Sequence, residues 1–215
     1  SVSIKKQQSS TAIDVSKDVL KQVSVLEKTY PGLTFTVVND SSDMITESIT
    51  NVFQTMIMAV ILSMIILWLF YGDIRASVIV GTSIPISIML TLIAMSLMGF
   101  SLNVISLTSL VLGVGMMVDN SIVVLESCFR STKGKGIVGY REAALEGSGI
   151  VLQSIIGSTV TTCVVFLPLA LLQGLTGQMF KPLGFTIIFC MVASLISAMT
   201  IVPLCYCFYR PQEKE

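Results

Sequence analysis

From residue 51 onward the chain is a succession of five long apolar runs separated by short polar stretches. The runs cover about 51–71, 77–98, 104–128, 150–172 and 183–209. Each is long enough to cross the ~30 Å hydrocarbon core as a helix, which takes roughly 20 residues. Pro85 lies inside the second run and Pro168 inside the fourth. A proline within a span is tolerated when neighbouring groups re-satisfy the freed carbonyl, and Thr82 or Ser83 is placed to do so for Pro85. The first fifty residues have a different rhythm. Val2 and Ile4 alternate with Ser3 and Lys5, and Leu33 to Val38 alternates again, both strand signals. Between them, Ser9, Ser10 and Thr11 are N-cap candidates for an amphipathic helix running to about Lys28, stopped by Tyr30-Pro31-Gly32. The pattern predicts an α-helical integral membrane protein: five transmembrane helices preceded by a short extracytoplasmic βαβ (α+β) piece. The expected divisions are 1–45 for that piece, 46–210 for the bundle and 211–215 for a cytoplasmic tail.

Composition agrees with a membrane protein. Hydrophobic residues make up 53% of the 215, charged residues 12%, and mean hydropathy is +0.86; soluble domains carry about twice that charge fraction. Net charge is zero with scattered basic residues, which gives no surface for nucleic acid. Histidine is absent, removing the commonest metal ligand and general base. Cys128, Cys163, Cys190, Cys205 and Cys207 sit in or beside apolar runs and read as small buried hydrophobes. The sequence therefore predicts no catalytic residues, no enzyme activity, no cofactor and no metal.

Arg75, Arg130, Lys133, Lys135, Arg141, Arg210 and Lys214 fall on one side of the five runs, while the opposite short loops carry only Lys181. The basic side is expected to be cytoplasmic, which places the 130–147 loop and the C-terminus inside and residues 1–45 outside. Ser1 has neither an initiator methionine nor a signal sequence before it, so the expectation is a fragment of a longer polypeptide with an upstream membrane segment.

Asp119 is the one charge deep within a span. In a helix from Val104 to Cys128 it lies ~22 Å from one end and ~14 Å from the other. An ionised Asp at that depth costs at least ~3 kcal/mol. Such an acid usually belongs to a proton or ion path, the alternative being a carboxyl that merely joins two helices. Asn120, next to it, has nearly the same shape but cannot titrate. The spans contain no interior Lys or Arg, so any counter-charge must come from elsewhere. Glu126, two turns on, suits either proton entry or an interfacial pair with Arg130. Gly113 and Gly115 leave the surface near the acid smooth for a partner helix. Ser158, Thr159, Thr161 and Thr162 can reach towards the acid or bond back to their own helix. Gly174 and Gly177 suit the turn before the fifth run.

Val114-Gly-Met-Met-Val-Asp-Asn-Ser-Ile-Val-Val-Leu-Glu126 resembles the fourth transmembrane helix of resistance-nodulation-division (RND) efflux transporters, hydrophobe/amphiphile branch. Asp40-Ser-Ser with Ile45, Arg75-Ala with Ser83-Ile-Pro85, Ser101-Leu-Asn103, and Val165-Phe-Leu-Pro168 with Gly174-Leu-Thr-Gly-Gln-Met-Phe180 extend the likeness in order. The resemblance implies that residues 1–45 end an extracytoplasmic porter domain and that the spans are helices two to six of a first repeat. It implies a bacterial cytoplasmic membrane, amphiphilic small-molecule substrates, a trimer, and a second repeat supplying a counter-charge Lys. The family's proton-carrying acid pair falls on Asp119 and Asn120; the second acid is here an amide, which leaves the proton count open while Asp119 keeps its role. Two other readings stay open: a lipid- or sterol-sensing module, and a structural half that needs a second repeat.

Overall fold

The computed structural model describes residues 2–5, 11–30, 32–100, 102–132 and 139–211. Ser9, Ser10, Pro31, Ser101, the basic stretch with Lys133 and Lys135, and Lys214 in the tail lie outside the described residues. The chain divides into two compact units, Ser1–Thr50 and Asn51–Glu215.

The first unit contains helix α1, Ala12–Thr29. Thr11 caps it, accepting from the backbone N–H of Asp14 at 3.2 Å. The expected strands do not form: residues 2–5 and 33–40 carry no ladder, and among the described residues there is no strand at all. The alternation of Leu33 to Val38 is real, but a strand exists only through pairing, and Val2, Val37 and Val38 stand exposed without a partner edge. The βαβ piece is thus corrected to one helix with extended flanks.

Asp40 ties this unit together. Its carboxylate accepts the Ser42 backbone N–H at 2.9 Å, at the start of helix α2 (Ser41–Tyr71), and the hydroxyl of Ser16 on α1. The Ser16 hydroxyl, followed by Ser42, holds the Asp40 carboxyl below the usual carboxylate range. A lowered folded-state value means that the linkage contributes above the unfolded pKa and is lost as pH falls through the folded one. Amide exchange at Ser42 is therefore expected to accelerate, beyond its intrinsic pH dependence, only below the ordinary Asp range. Ser16→Ala should move that onset to higher pH; an unchanged onset would dissociate Ser16 from the tie.

The second unit holds the apolar part of α2 and four further helices: α3 (Ile74–Leu97), α4 (Val104–Thr132), α5 (Tyr140–Leu171) and α6 (Gly174–Tyr209). All five are long and apolar enough to cross a membrane. α6 is packed against α3, α4 and α5, and α4 also meets α3 and α5. α2 and α5 leave most of their surface uncovered. Between helices in lipid there is no hydrophobic driving force, so contact depends on close approach and on hydrogen bonds. Gly113, Gly147 and Gly184 provide the approach: a Cβ there would stand 2.7 Å from Cys190 Sγ, 2.7 Å from Cys128 Cα and 2.6 Å from the Ala170 backbone N, respectively. Aromatic clusters close both ends. Tyr71 stacks on Phe129 at 4.8 Å and Tyr206 meets Phe129 edge-on, while Phe100 packs on Phe185 at 4.9 Å.

Two junctions differ from expectation. α5 starts at Tyr140 rather than near 150, and α6 at Gly174 rather than near 183. Two glycines there are contact points: Gly147 lies against the backbone of α4, and Gly177, expected only to suit the turn, lies against the Leu172 carbonyl. Gly174, with φ +76°, does make the turn. Around Pro85, Thr82 donates to the Val78 carbonyl and Ser83 to that of Val80, so neither takes up the carbonyl of Gly81 as expected.

Candidate functional site

α4 places Asp119 ~22 Å from its start and ~20 Å from its end. Its rotation divides the residues around the acid. Gly113, Val114, Met117, Asn120, Ser121, Val124 and Leu125 turn inward and are buried. Thr108, Leu112, Gly115, Asp119 and Val123 form the opposite, exposed stripe. Asp119 therefore occupies the one face of α4 that the other helices leave uncovered. It has no hydrogen bond or ion pair among the described residues.

Asn120 does the reverse. It is 5% exposed, and its amide donates to Ser194 Oγ on α6 at 3.3 Å. Ser194 in turn donates to the Met117 carbonyl of α4 at 2.8 Å. Alongside, Ser121 of α4 and Ser83 of α3 share a hydrogen bond at 2.8 Å, and Ser197 of α6 donates to the Ser83 carbonyl at 3.3 Å. Three helices are thus joined by polar groups behind the acid. Sequence reasoning missed Ser121, Ser194 and Ser197, and gave Ser83 a different task, beside Pro85. The available signal was small polar residues at helical spacing on one face of apolar spans, namely Ser83, Ser87 and Thr91, then Ser194 and Ser197.

The remaining expected residues separate. Glu126 pairs with Arg130 at i+4, both partly exposed, as an interfacial pair would be. Gly113 packs on Cys190 and carries the α4–α6 contact. A Cβ at Gly115 would meet nothing within 4 Å; the residue borders an apolar groove of about 340 Å³ between α2 and α4, lined also by Met58, Leu62, Ile65 and Val111. Ser158, Thr161 and Thr162 bond back to carbonyls of α5, at Ile155, Gly157 and Ser158. Thr159 is the exception, with a buried hydroxyl that has no partner among the described residues. The four hydroxyls make no bond to Asp119.

The profile of the AcrB/AcrD/AcrF family matches residues 1–215. The chain is 31% identical over 210 residues to the swarming motility protein SwrC of Bacillus subtilis, covering 94% of this chain and 19% of that protein. It is 31% identical over 203 residues to the multidrug resistance protein MdtF of Escherichia coli K12, covering 94% and 20%. Against the toluene efflux pump membrane transporter TtgB of Pseudomonas putida it is 29% identical over 205 residues, covering 94% and 19%. The chain thus spans about a fifth of the length of these relatives.

Proposed function

The chain belongs to the AcrB/AcrD/AcrF family of RND transporters, and from that premise we propose that it forms part of a proton-driven exporter in which Asp119 carries the proton. The observation that supports this is a carboxyl at hydrocarbon depth on the uncovered face of α4. Ionised there, it costs at least ~3 kcal/mol. Two events relieve that cost, uptake of a proton or approach of a cation. A site that alternates between them converts protonation into helix movement. One charge moved through 100 mV supplies ~2.3 kcal/mol, enough to bias such a two-state element.

In this reading the cation is a Lys of a second repeat docked on the Thr108–Gly115–Asp119–Val123 stripe, and the whole is a trimer in a bacterial cytoplasmic membrane. Residues 1–45 are the end of an extracytoplasmic porter domain. The substrates are small amphiphiles, in keeping with the names multidrug resistance protein and toluene efflux pump borne by two relatives. The deciding experiment is proton-coupled efflux with Asp119→Asn. The apolar groove beside Gly115 favours a lipid- or sterol-binding module instead. That reading leaves Asp119 without a task, and transport is preferred for that reason.

The topology is tested separately. With native cysteines replaced, a cysteine at Ser131 should react with a membrane-impermeant reagent only from the cytoplasmic side, since Arg130 and Arg141 flank it. Labelling from outside alone would invert the orientation.

A further inference from the structure

We propose that Ser194 is a positioning residue for Asp119, acting through Asn120 and the Met117 carbonyl; this rests on Asp119 being the proton carrier. Ser194 is fully buried on α6, and its hydroxyl is used twice on α4. It accepts from the Asn120 amide at 3.3 Å and donates to the Met117 carbonyl at 2.8 Å. Those two α4 groups lie within two residues of Asp119, one before it and one immediately after. Near this link the α4–α6 contacts are apolar or small, with Gly113 on Cys190 and Val124 and Leu125 in the core, and the next hydrogen bonds to α6 lie about two turns further on, where Tyr206 meets Thr132 and the Cys128 carbonyl. An apolar interface in lipid tolerates rotation and sliding, because no water is released when it forms. A two-point hydrogen bond does not. The link from Ser194 fixes the turn of α4 that keeps Asn120 inside, and successive helical residues are ~100° apart, so the same turn points Asp119 outward. The Ser121–Ser83 bond at 2.8 Å opposes rotation from the α3 side. The second position of the family's acid pair, occupied here by an amide, thereby holds the first in place.

The test uses the full transporter in cells at matched membrane levels. Ser194→Ala, which removes both bonds, should lower efflux at least about threefold, the average effect of one interhelical hydrogen bond in a membrane. The exchanged pair, Ser194→Asn with Asn120→Ser, keeps the link and the total buried volume with its ends reversed. It should restore at least half of the loss. Thr200→Ala, whose hydroxyl only bonds back to Ile196 of its own helix, serves as the neutral control. Parental efflux in Ser194→Ala overturns the proposal. So does an exchanged pair that accumulates normally and stays defective, or one that fails to accumulate, because the link would then serve folding rather than placement. Asp119→Asn run in parallel separates the two levels. If it pumps normally, the proton-carrier reading fails; if it is inactive while Ser194→Ala is normal, only the positioning role fails.

Discussion

Asp119→Asn is expected to abolish proton-coupled efflux by the full transporter while leaving its level in the membrane unchanged or slightly raised. The amide keeps the shape and the hydrogen-bonding capacity of the carboxyl and removes only titration. Insertion should not suffer, because a neutral side chain at that depth spares the ~3 kcal/mol or more that an ionised one costs. Asp119 is exposed on α4 and has no partner among the described residues, so no contact within the bundle is lost. Asn120→Ala is predicted to be milder without being silent. It removes the bond to Ser194, which in membranes amounts to ~0.6 kcal/mol on average and at most ~1.7. The measurement is efflux from cells expressing each variant at matched levels. Wild-type pumping by Asp119→Asn would reduce the acid to a structural group and end the mechanism.

The contrast between these neighbouring residues shows what could be read in the chain. The depth of Asp119 followed from counting residues along an apolar run, and so did the five spans. The Glu126–Arg130 pair was legible because i,i+4 neighbours on a helix meet whatever surrounds it. The directions in which Asp119 and Asn120 face were not separable in that way. One residue of rotation, ~100°, decides which faces α6, and that depends on Ser194, seventy-four positions away. Spacing within one helix carries no information about such a partner.

The same limit explains the strands. Val2 to Lys5 and Leu33 to Val38 have the period of a half-buried strand, a local property, whereas a ladder needs a second edge that sequence alternation does not specify. Glycine misled in the opposite direction. The fourth run was bounded near 150, yet α5 is continuous from Tyr140 through Gly147 and Gly149. A glycine that ends a helix in water can sit within one in a bundle, because the missing side chain is what lets another backbone approach.

Gly147 carries the second large expectation, and Gly149 is its internal control. A Cβ at Gly147 would stand 2.7 Å from Cys128 Cα, 2.8 Å from Cys128 N and 2.8 Å from the Ser127 carbonyl oxygen. All three are backbone atoms of α4, which cannot swing aside as a side-chain tip can. Ser127 also donates its hydroxyl to the Gly147 carbonyl at 2.7 Å, so displacing α5 breaks a buried hydrogen bond as well. Overpacking of this kind costs ~1–3 kcal/mol and sometimes more; the lost bond adds to it. Gly147→Ala should therefore lower the thermal midpoint in detergent, and Gly147→Leu should prevent the protein from accumulating in the membrane. A Cβ at Gly149, two residues along the same helix, meets nothing within 4 Å. Gly149→Ala should be neutral or raise stability by up to ~1 kcal/mol, the ordinary gain of alanine over glycine in a helix. The comparison is made by size-exclusion after heating, with membrane level as the second readout. If the two alanine variants melt together, α4 and α5 do not touch at Gly147, and the fixed α4–α5 contact there is lost with them.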